Sequence, residues 1–440
     1  MTIGVDPRST PTADGTGFGA TNSSLFERAS KVLVGGVNSP VRAFRSVGGT
    51  PYFVARGQGS RVWDVEGREY IDFVQSYGAS ILGHADPRVV ATMQEAATQG
   101  STFGAPTYRE VLLAEAIIDR VPGLEMVRMC SSGTEAAMSA VRLARGITGR
   151  SKVIKFAGCY HGATDSLLAA GGSGVANQGL PGSDGVPPSA VADTIVAPFN
   201  VIPEIGSDVA LVAVEPVAAN MGLVPPEPGF LEGLRKACDA SGALLLFDEV
   251  ITGFRLGAGG ATVWSGVTPD IWAFGKIIGG GMPVGAFGGT TATMSHLAPL
   301  GPVYQGGTLS GNPMATAAGL AVLEQCTPDR YESLMVTAEI LAAGLREAIS
   351  GAGLAVQVPV VGTLVGIHLG AGPIRNFDDA KQANEAGLYA PFFHAMLRGG
   401  IAMAPGAYEA LFPSFAHTPA DIDRTIEAAA LAARVVANSL

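Results

Sequence analysis

Between about residue 76 and residue 330 the chain repeats one unit: a short apolar run, a turn, and a stretch with helical spacing. The runs are MVRMC, KVIKF, DTIVAPF, ALVAVEP, ALLLFDEV, DIWAFGK and AFGGT, with helical stretches such as EAAMSAVRLARGI and PGFLEGLRKACDAS between them. Short unbroken apolar runs bounded by turns read as strands buried on both faces. Their alternation with helices predicts an α/β fold with a large, mostly parallel sheet covered on both sides. In such a sheet ligands bind beyond the carboxyl ends of the strands, so the residues that follow each run are the ones to read for chemistry.

The flanking segments read differently. Residues 24–75 begin with a helix (SLFERASKVL) and a Gly/Pro loop, then alternate through YFVA, RVWDV and EYIDF as a short antiparallel meander. Residues 331–440 offer a long amphipathic helix, two or three strands in AVQVPVVGTLVGIHLG, and a terminal helix, ADIDRTIEAAALAARVVANSL, apolar on one side. The expected organisation is a leader at 1–23, a large domain at 76–330, and a smaller α+β domain built from 24–75 and 331–440. The leader is polar, rich in Gly and Thr, and carries neither an apolar signal core nor an arginine-rich pattern. No apolar run reaches the roughly 18 residues of a membrane span. A flexible leader and a cytoplasmic location are the expectations.

Charge and cysteine usage narrow the function. A net charge of −10 argues against nucleic acid or an anionic membrane as partner and leaves a small-molecule substrate. The four cysteines, Cys130, Cys159, Cys238 and Cys326, form no C-x-x-C pair and are joined by no His-x-x-x-His, so no metal site is expected. Buried, reduced thiols are the better reading.

Four strand ends carry the chemistry. The run ALLLF ends on Asp248-Glu249, and 28 residues later AFGKIIGGG presents Lys276 ahead of a glycine run. A lysine that can form a Schiff base, with a carboxylate that keeps a ring nitrogen protonated, is what a pyridoxal-type cofactor requires. The phosphate of such a cofactor needs an anion site. MCSSGTEAAMSAVRLAR supplies a strand, a Ser-Ser-Gly-Thr turn and a helix N-terminus, with Gly133 allowing close approach and Thr134 a hydroxyl. The same residues followed by Glu135 would also serve as a plain helix cap. After KVIKF come Tyr160 and His161, an aromatic placed to stack on a flat ring or simply to anchor its loop. GTGFGA at 15–20 follows no strand and opens no helix, so it is not a dinucleotide loop.

Residues 24–440 resemble the aminomutase branch of the class-III, fold-type I pyridoxal-phosphate aminotransferases. SSGTEA, FDEV and the FGK lysine are general to the class. GGVNSPVRAF, KFAGCYHGATDS, GSGVANQGLPGSDGVP, EPVAANMGLV, TGFR, KIIGGGMPVGAFGG and YQGGTLSGNP are specific to the branch. The resemblance implies a homodimer using pyridoxal 5'-phosphate and pyridoxamine 5'-phosphate. The implied reaction is intramolecular amino transfer from glutamate 1-semialdehyde to 5-aminolevulinate through a diamine, in tetrapyrrole biosynthesis. It implies that Lys276 holds the cofactor and shuttles protons, that Asp248 pairs with the ring nitrogen, and that Tyr160 and Val250 cover the ring faces. Asn220 would lie near the ring hydroxyl and His161 beside the cofactor. Gly133 and Thr134 would bind the phosphate, joined by Thr308 from the neighbouring subunit. Ser39 and Arg42 would hold the substrate carboxylate, Arg42 by a planar fork. Ser173 falls in a glycine-rich stretch, 171–187, that resembles a gating loop, and Glu409 would line the substrate side. Contact with glutamyl-tRNA reductase, which makes the unstable aldehyde, is implied as well. In two places the branch pattern changes: Ser131 stands where Asn is usual, and Ala219 precedes Asn220 where Gly is usual.

Two other functions compete. A class-III omega-aminotransferase would use an external amino donor and would have to hold a second carboxylate, which Arg42 favours and Glu409 opposes. A cofactor-binding protein without catalysis would have no need of Lys276, Asp248 and a phosphate turn together.

Overall fold

A computed structural model describes residues 21–169 and 183–440. Seven of its strands form one sheet: β4 (Met126–Cys130), β5 (Lys152–Phe156), β6 (Thr194–Ala197), β7 (Val209–Val214), β8 (Leu244–Asp248), β9 (Ile271–Gly275) and β10 (Gly285–Gly289). The spatial order is β4-β10-β9-β8-β7-β5-β6. All run parallel except β10, which lies antiparallel between β4 and β9. These are the seven runs read from the sequence.

Helices cover both faces, as the apolar runs require. On one face Leu211 and Ala213 of β7, Leu246 of β8 and Ala273 of β9 pack under the helix Gly133–Thr148 through Ala137, Ala140 and Ala144. Val212, Val214, Leu245 and Phe247, their alternate neighbours, face the opposite core with Phe230 and Leu234 of the helix Phe230–Ser241. Strand alternation therefore places Asp248 on the face of Leu246, under the helix Gly133–Thr148.

A second sheet is made of β1 (Val54–Gln58), β2 (Arg61–Asp64) and β3 (Glu69–Asp72), antiparallel, with Ile401–Ala402 added parallel to β3. It joins the two ends of the chain. Arg61 on β2 pairs with Asp421, which closes a capping box with Thr418 at the start of the terminal helix Pro419–Ala437. The first helix, Asn22–Val32, begins two residues ahead of the expected Ser24. Thr21 caps it by accepting from Ser24 N–H, and Asn22 is pinned by bonds to Asp64 Oδ2 (2.9 Å) and from Phe53 N–H (2.7 Å). Residues 355–370 form four two-residue strands rather than two or three longer ones, because Pro359 and Gly362 interrupt them. All four cysteines are free and buried. Among the described residues no helix is long and apolar enough to cross a membrane.

Candidate active site

The carboxyl ends of five parallel strands meet at one edge of the large sheet and surround a cavity of about 390 Å³, within the range of roughly 300–1,000 Å³ of small-molecule sites. β4 contributes Ser131–Thr134, β5 contributes Tyr160 and His161, β7 Glu215, β8 Asp248 and Val250, and β9 Lys276. Asn220 completes the set, and β10 enters the same edge with Pro283 and Val284. Eight of the expected residues are thus together: Gly133, Thr134, Tyr160, His161, Asn220, Asp248, Val250 and Lys276.

Lys276 follows β9 directly, with φ at +50°, a left-handed conformation uncommon for a side-chain-bearing residue. Burial lowers the pKa of its amine, opposed by the negative charges of Asp248, Glu409 and Glu215. A lysine so placed is a better base near neutrality than a solvated one.

Asp248, at the end of β8, is 4% exposed and held from two sides. Its Oδ1 accepts from Val250 N–H at 3.1 Å and its Oδ2 lies 2.7 Å from His161 Nδ1. Since a carboxylate only accepts, the bond puts the proton on Nδ1. His161 Nε2 is buried with no partner among the described residues.

The anion site is the turn after β4. Ser132 Oγ accepts from Glu135 N–H and Glu135 Oε2 accepts from Ser131 N–H, which caps the helix Gly133–Thr148. No acceptor among the described residues takes the N–H groups of Gly133 and Thr134. A Cβ on Gly133 would stand 2.8 Å from Val250 Cγ2, so the missing side chain keeps the cradle open against the residue expected on the ring face. Gly162, at φ +82°, brings the loop after β5 onto Thr134, whose Oγ1 accepts from Ala163 N–H at 3.2 Å.

Glu215 is a member of the site that sequence reasoning missed. It is buried, and its Oε1 accepts from Tyr160 N–H (2.7 Å) and Asn220 Nδ2 (3.0 Å) while Oε2 accepts from Ala219 N–H (3.0 Å). One carboxylate thus orients the loops of Tyr160 and Asn220. Burial raises its pKa, with the His161 ring opposing. The signal was present: ALVAVEP ends a buried run on an acid just as ALLLFDEV does.

Arg42 lies outside this cavity. It lines a second one of about 430 Å³, with Tyr77, Asp72 and His84. The two are linked through Glu409: its charge acts on Lys276 and on Tyr77, and Arg42 acts on Tyr77 as well. Ser39 precedes the short turn Pro40–Ala43 and receives the Arg42 N–H on its carbonyl at 3.0 Å. Thr308 is exposed and does not reach the cavity within this chain. Ser173 and most of the stretch 171–187 lie outside the described residues. Tyr77 was not singled out from sequence, because EYIDFVQSYG reads as the end of a strand.

A flat ring bearing a phosphate suits these residues. Two N–H groups at a helix start are free to take an anion, and a lysine and a carboxylate share one cavity without forming an ion pair. Among the described residues no cluster of His, Cys, Asp or Glu could hold a metal.

Known proteins match over the same length. The family model for aminotransferase class-III matches residues 44–415. The glutamate-1-semialdehyde 2,1-aminomutase 2 of Bacillus licheniformis is 52% identical over 415 residues, 93% of this chain and 96% of that protein. The glutamate-1-semialdehyde 2,1-aminomutase of Bordetella avium is 52% identical over 92% of this chain and 97% of its own. Among solved structures, an omega-transaminase from Sphaerobacter thermophilus superposes with a TM-score of 0.86 at 35% identity, covering 96% of this chain and all of that one. A glutamate-1-semialdehyde-aminomutase from Pseudomonas aeruginosa superposes at 0.84 with 27% identity, covering 94% of each chain.

Proposed function

The chain belongs to the class-III aminotransferase family, and from that premise we propose that it is a pyridoxal-phosphate-dependent aminomutase. Its reaction in this reading converts glutamate 1-semialdehyde to 5-aminolevulinate, through a diamine, for tetrapyrrole synthesis. The observation that carries the reading is the convergence of Lys276, Asp248 and the Ser132–Thr134 turn on one cavity, in a chain 52% identical to named aminomutases.

Bound pyridoxal phosphate would supply an aldehyde for amine capture and a protonated ring as electron sink. The chain's own residues do the rest. Gly133 and Thr134 N–H groups, at the positive end of a helix, hold the phosphate. Asp248, braced by His161 and by Val250 N–H, keeps a proton on the ring nitrogen. Tyr160 and Val250 line the cavity where they would cover the ring, and Asn220, set by Glu215, would stand near its edge. Lys276 Nζ, its pKa lowered by burial, would accept and deliver protons at the carbons attached to the transferred nitrogen. Arg42 and Ser39 hold the substrate carboxylate, and Glu409 discourages a second carboxylate beside Lys276.

Thr308, exposed between Tyr304 and Leu309, which are exposed too, supports a homodimer in which Thr308 reaches the neighbouring phosphate. A cytoplasmic location and contact with glutamyl-tRNA reductase belong to the same reading. Ser173 would act from a gating loop. The omega-aminotransferase alternative has the 35%-identical structure from Sphaerobacter thermophilus in its favour. Incubating the pure holoenzyme with glutamate 1-semialdehyde alone separates the two. 5-Aminolevulinate formed without an added amino donor or keto acid is the expected result; strict dependence on an external donor would replace the mutase with a transaminase.

A further inference from the structure

Arg255 is 0% exposed, and among the described residues it forms no ion pair with a carboxylate. A buried cation without a counter-charge is costly unless hydrogen bonds replace its water. Here the replacements are two backbone carbonyls from distant parts of the chain: Nη1 donates to Pro413 O at 2.7 Å and Nη2 to Gly78 O at 2.8 Å. The guanidinium also sits 5.6 Å from the centre of the Phe412 ring. Burial lowers its pKa to about 10, which leaves it charged at neutral pH.

What the two carbonyls belong to gives the arrangement its meaning. Gly78 closes a left-handed turn in which Gln75, Ser76 and Tyr77 have φ of +43°, +53° and +55°. Three consecutive side-chain-bearing residues in that region oppose the backbone's own preference, so the turn persists only where its surroundings hold it. Asp72 O accepts from Gln75 Nε2 on one side, and Arg255 holds the other. The turn carries Tyr77, which faces Arg42 and Glu409. Pro413 lies in the stretch after Glu409, where Phe412 N–H bonds to Phe73 O and Phe415 N–H to Ile81 O on either flank of the turn. Arg255 itself follows Asp248 by seven residues, and its own carbonyl is fixed by Thr363 Oγ1 at 2.8 Å.

We propose that Arg255 is a positioning residue: its planar fork holds the Tyr77 turn and the segment after Glu409 in place against the strand end that carries Asp248, and so sets the shape of the substrate-facing wall. This rests on the proposed reaction only in needing a substrate that meets that wall. Arginine is required because a lysine ammonium cannot span two carbonyls with fixed geometry. Displacement of about 1 Å in a positioning wall costs up to roughly a hundredfold in rate, while among the described residues Lys276, Asp248 and the phosphate turn share no hydrogen bond or ion pair with Arg255.

The test uses the holoenzyme with Arg255→Lys, Tyr77→Ala and both together. For Arg255→Lys the expected result is a KM for glutamate 1-semialdehyde raised about tenfold, with cofactor affinity and visible absorbance unchanged. Tyr77→Ala should also raise KM, and adding it to Arg255→Lys should change KM less than twofold further, because the wall is already displaced. A lower melting temperature with unmoved KM, or fully additive effects, would overturn the inference. If Arg255→Lys does not accumulate folded, Gly78→Ala displaces the same carbonyl with the charge left in place, since its Cβ would meet the Phe412 ring at 2.8 Å. The same KM rise is expected there, and an unchanged KM overturns the inference equally. Wild-type enzyme that makes no 5-aminolevulinate sinks the functional reading instead, a result visible before any variant is compared.

Discussion

Adding one methyl group at Gly133 tests the cofactor cradle with the least chemistry. Gly133→Ala puts a Cβ 2.8 Å from Val250 Cγ2 and 3.0 Å from Cγ1, against the 3.5–4.0 Å or so of an ordinary carbon contact. Without cofactor Val250 can turn toward the cavity it lines, and the helix start gains up to about 1 kcal/mol from replacing glycine. The melting temperature of the apo protein should therefore hold or rise slightly. With a ring bound, Val250 has nowhere to go, and its N–H is tied to Asp248 Oδ1, so any retreat also drags the carboxylate. Overpacking of this kind costs about 1–3 kcal/mol, which corresponds to roughly a 5- to 150-fold weaker dissociation constant. Titrating pyridoxal phosphate into the apo protein in a Lys276→Ala background reads this non-covalent affinity directly. Gly133→Ala/Val250→Ala should recover most of the loss. An affinity within twofold of the parent, or the same loss with and without Val250, would refute the cradle.

Two buried charges that the proposed reaction does not use make predictions about pH. Glu249 has its pKa pushed up to about 7 by burial, against bonds from Ala261 N–H and Thr252 Oγ1 that favour the ionised form. The native state keeps this proton to about pH 7, while the unfolded chain loses it near 4.5. Stability should fall as pH rises through that window, by on the order of 3 kcal/mol in all. Glu249→Gln should flatten that share of the urea-midpoint curve, and an equal slope in both proteins would count against it. Lys155, 0% exposed with its amine donating to Leu167 O at 2.9 Å, has its pKa lowered to about 8 by burial. Here the unfolded chain holds the extra proton, so wild-type stability should rise relative to Lys155→Met from about pH 8 toward 10.5. Parallel curves for the two proteins would show that the amine is not desolvated as described.

The large sheet was readable because its signal is local. A parallel strand buried on both faces must be an unbroken apolar run, and all seven runs became strands of one sheet. The small sheet was harder to delimit. β1 runs from Val54 to Gln58, past the end of the apolar stretch YFVA, because its outward residues are solvated and only pairing with β2 defines it. The helices Pro87–Gln99, Tyr108–Ile118 and Pro313–Leu323 were not anticipated individually. The last of these is apolar on all sides, buried between neighbours, and so lacks the periodic contrast that marks an amphipathic helix.

The site divides along the same physical line. Residues that reach the cavity by standing at the end of a buried run, such as Asp248, Lys276 and Gly133, are legible one at a time, because the run fixes where they stand. Glu215 also ends such a run, yet its role depends on which N–H groups converge on it from 160, 219 and 220, and that follows from three-dimensional packing. Tyr77 is further still from the sequence. Its position depends on a left-handed turn with no glycine until Gly78, where a guanidinium 177 positions away in the chain holds it. Local propensity opposes that turn, so no local reading could have called for it. Tertiary contact overrules the backbone's own preference here beside a cavity, and the overruling contact is Arg255, the residue whose substitution tests whether the turn shapes that cavity.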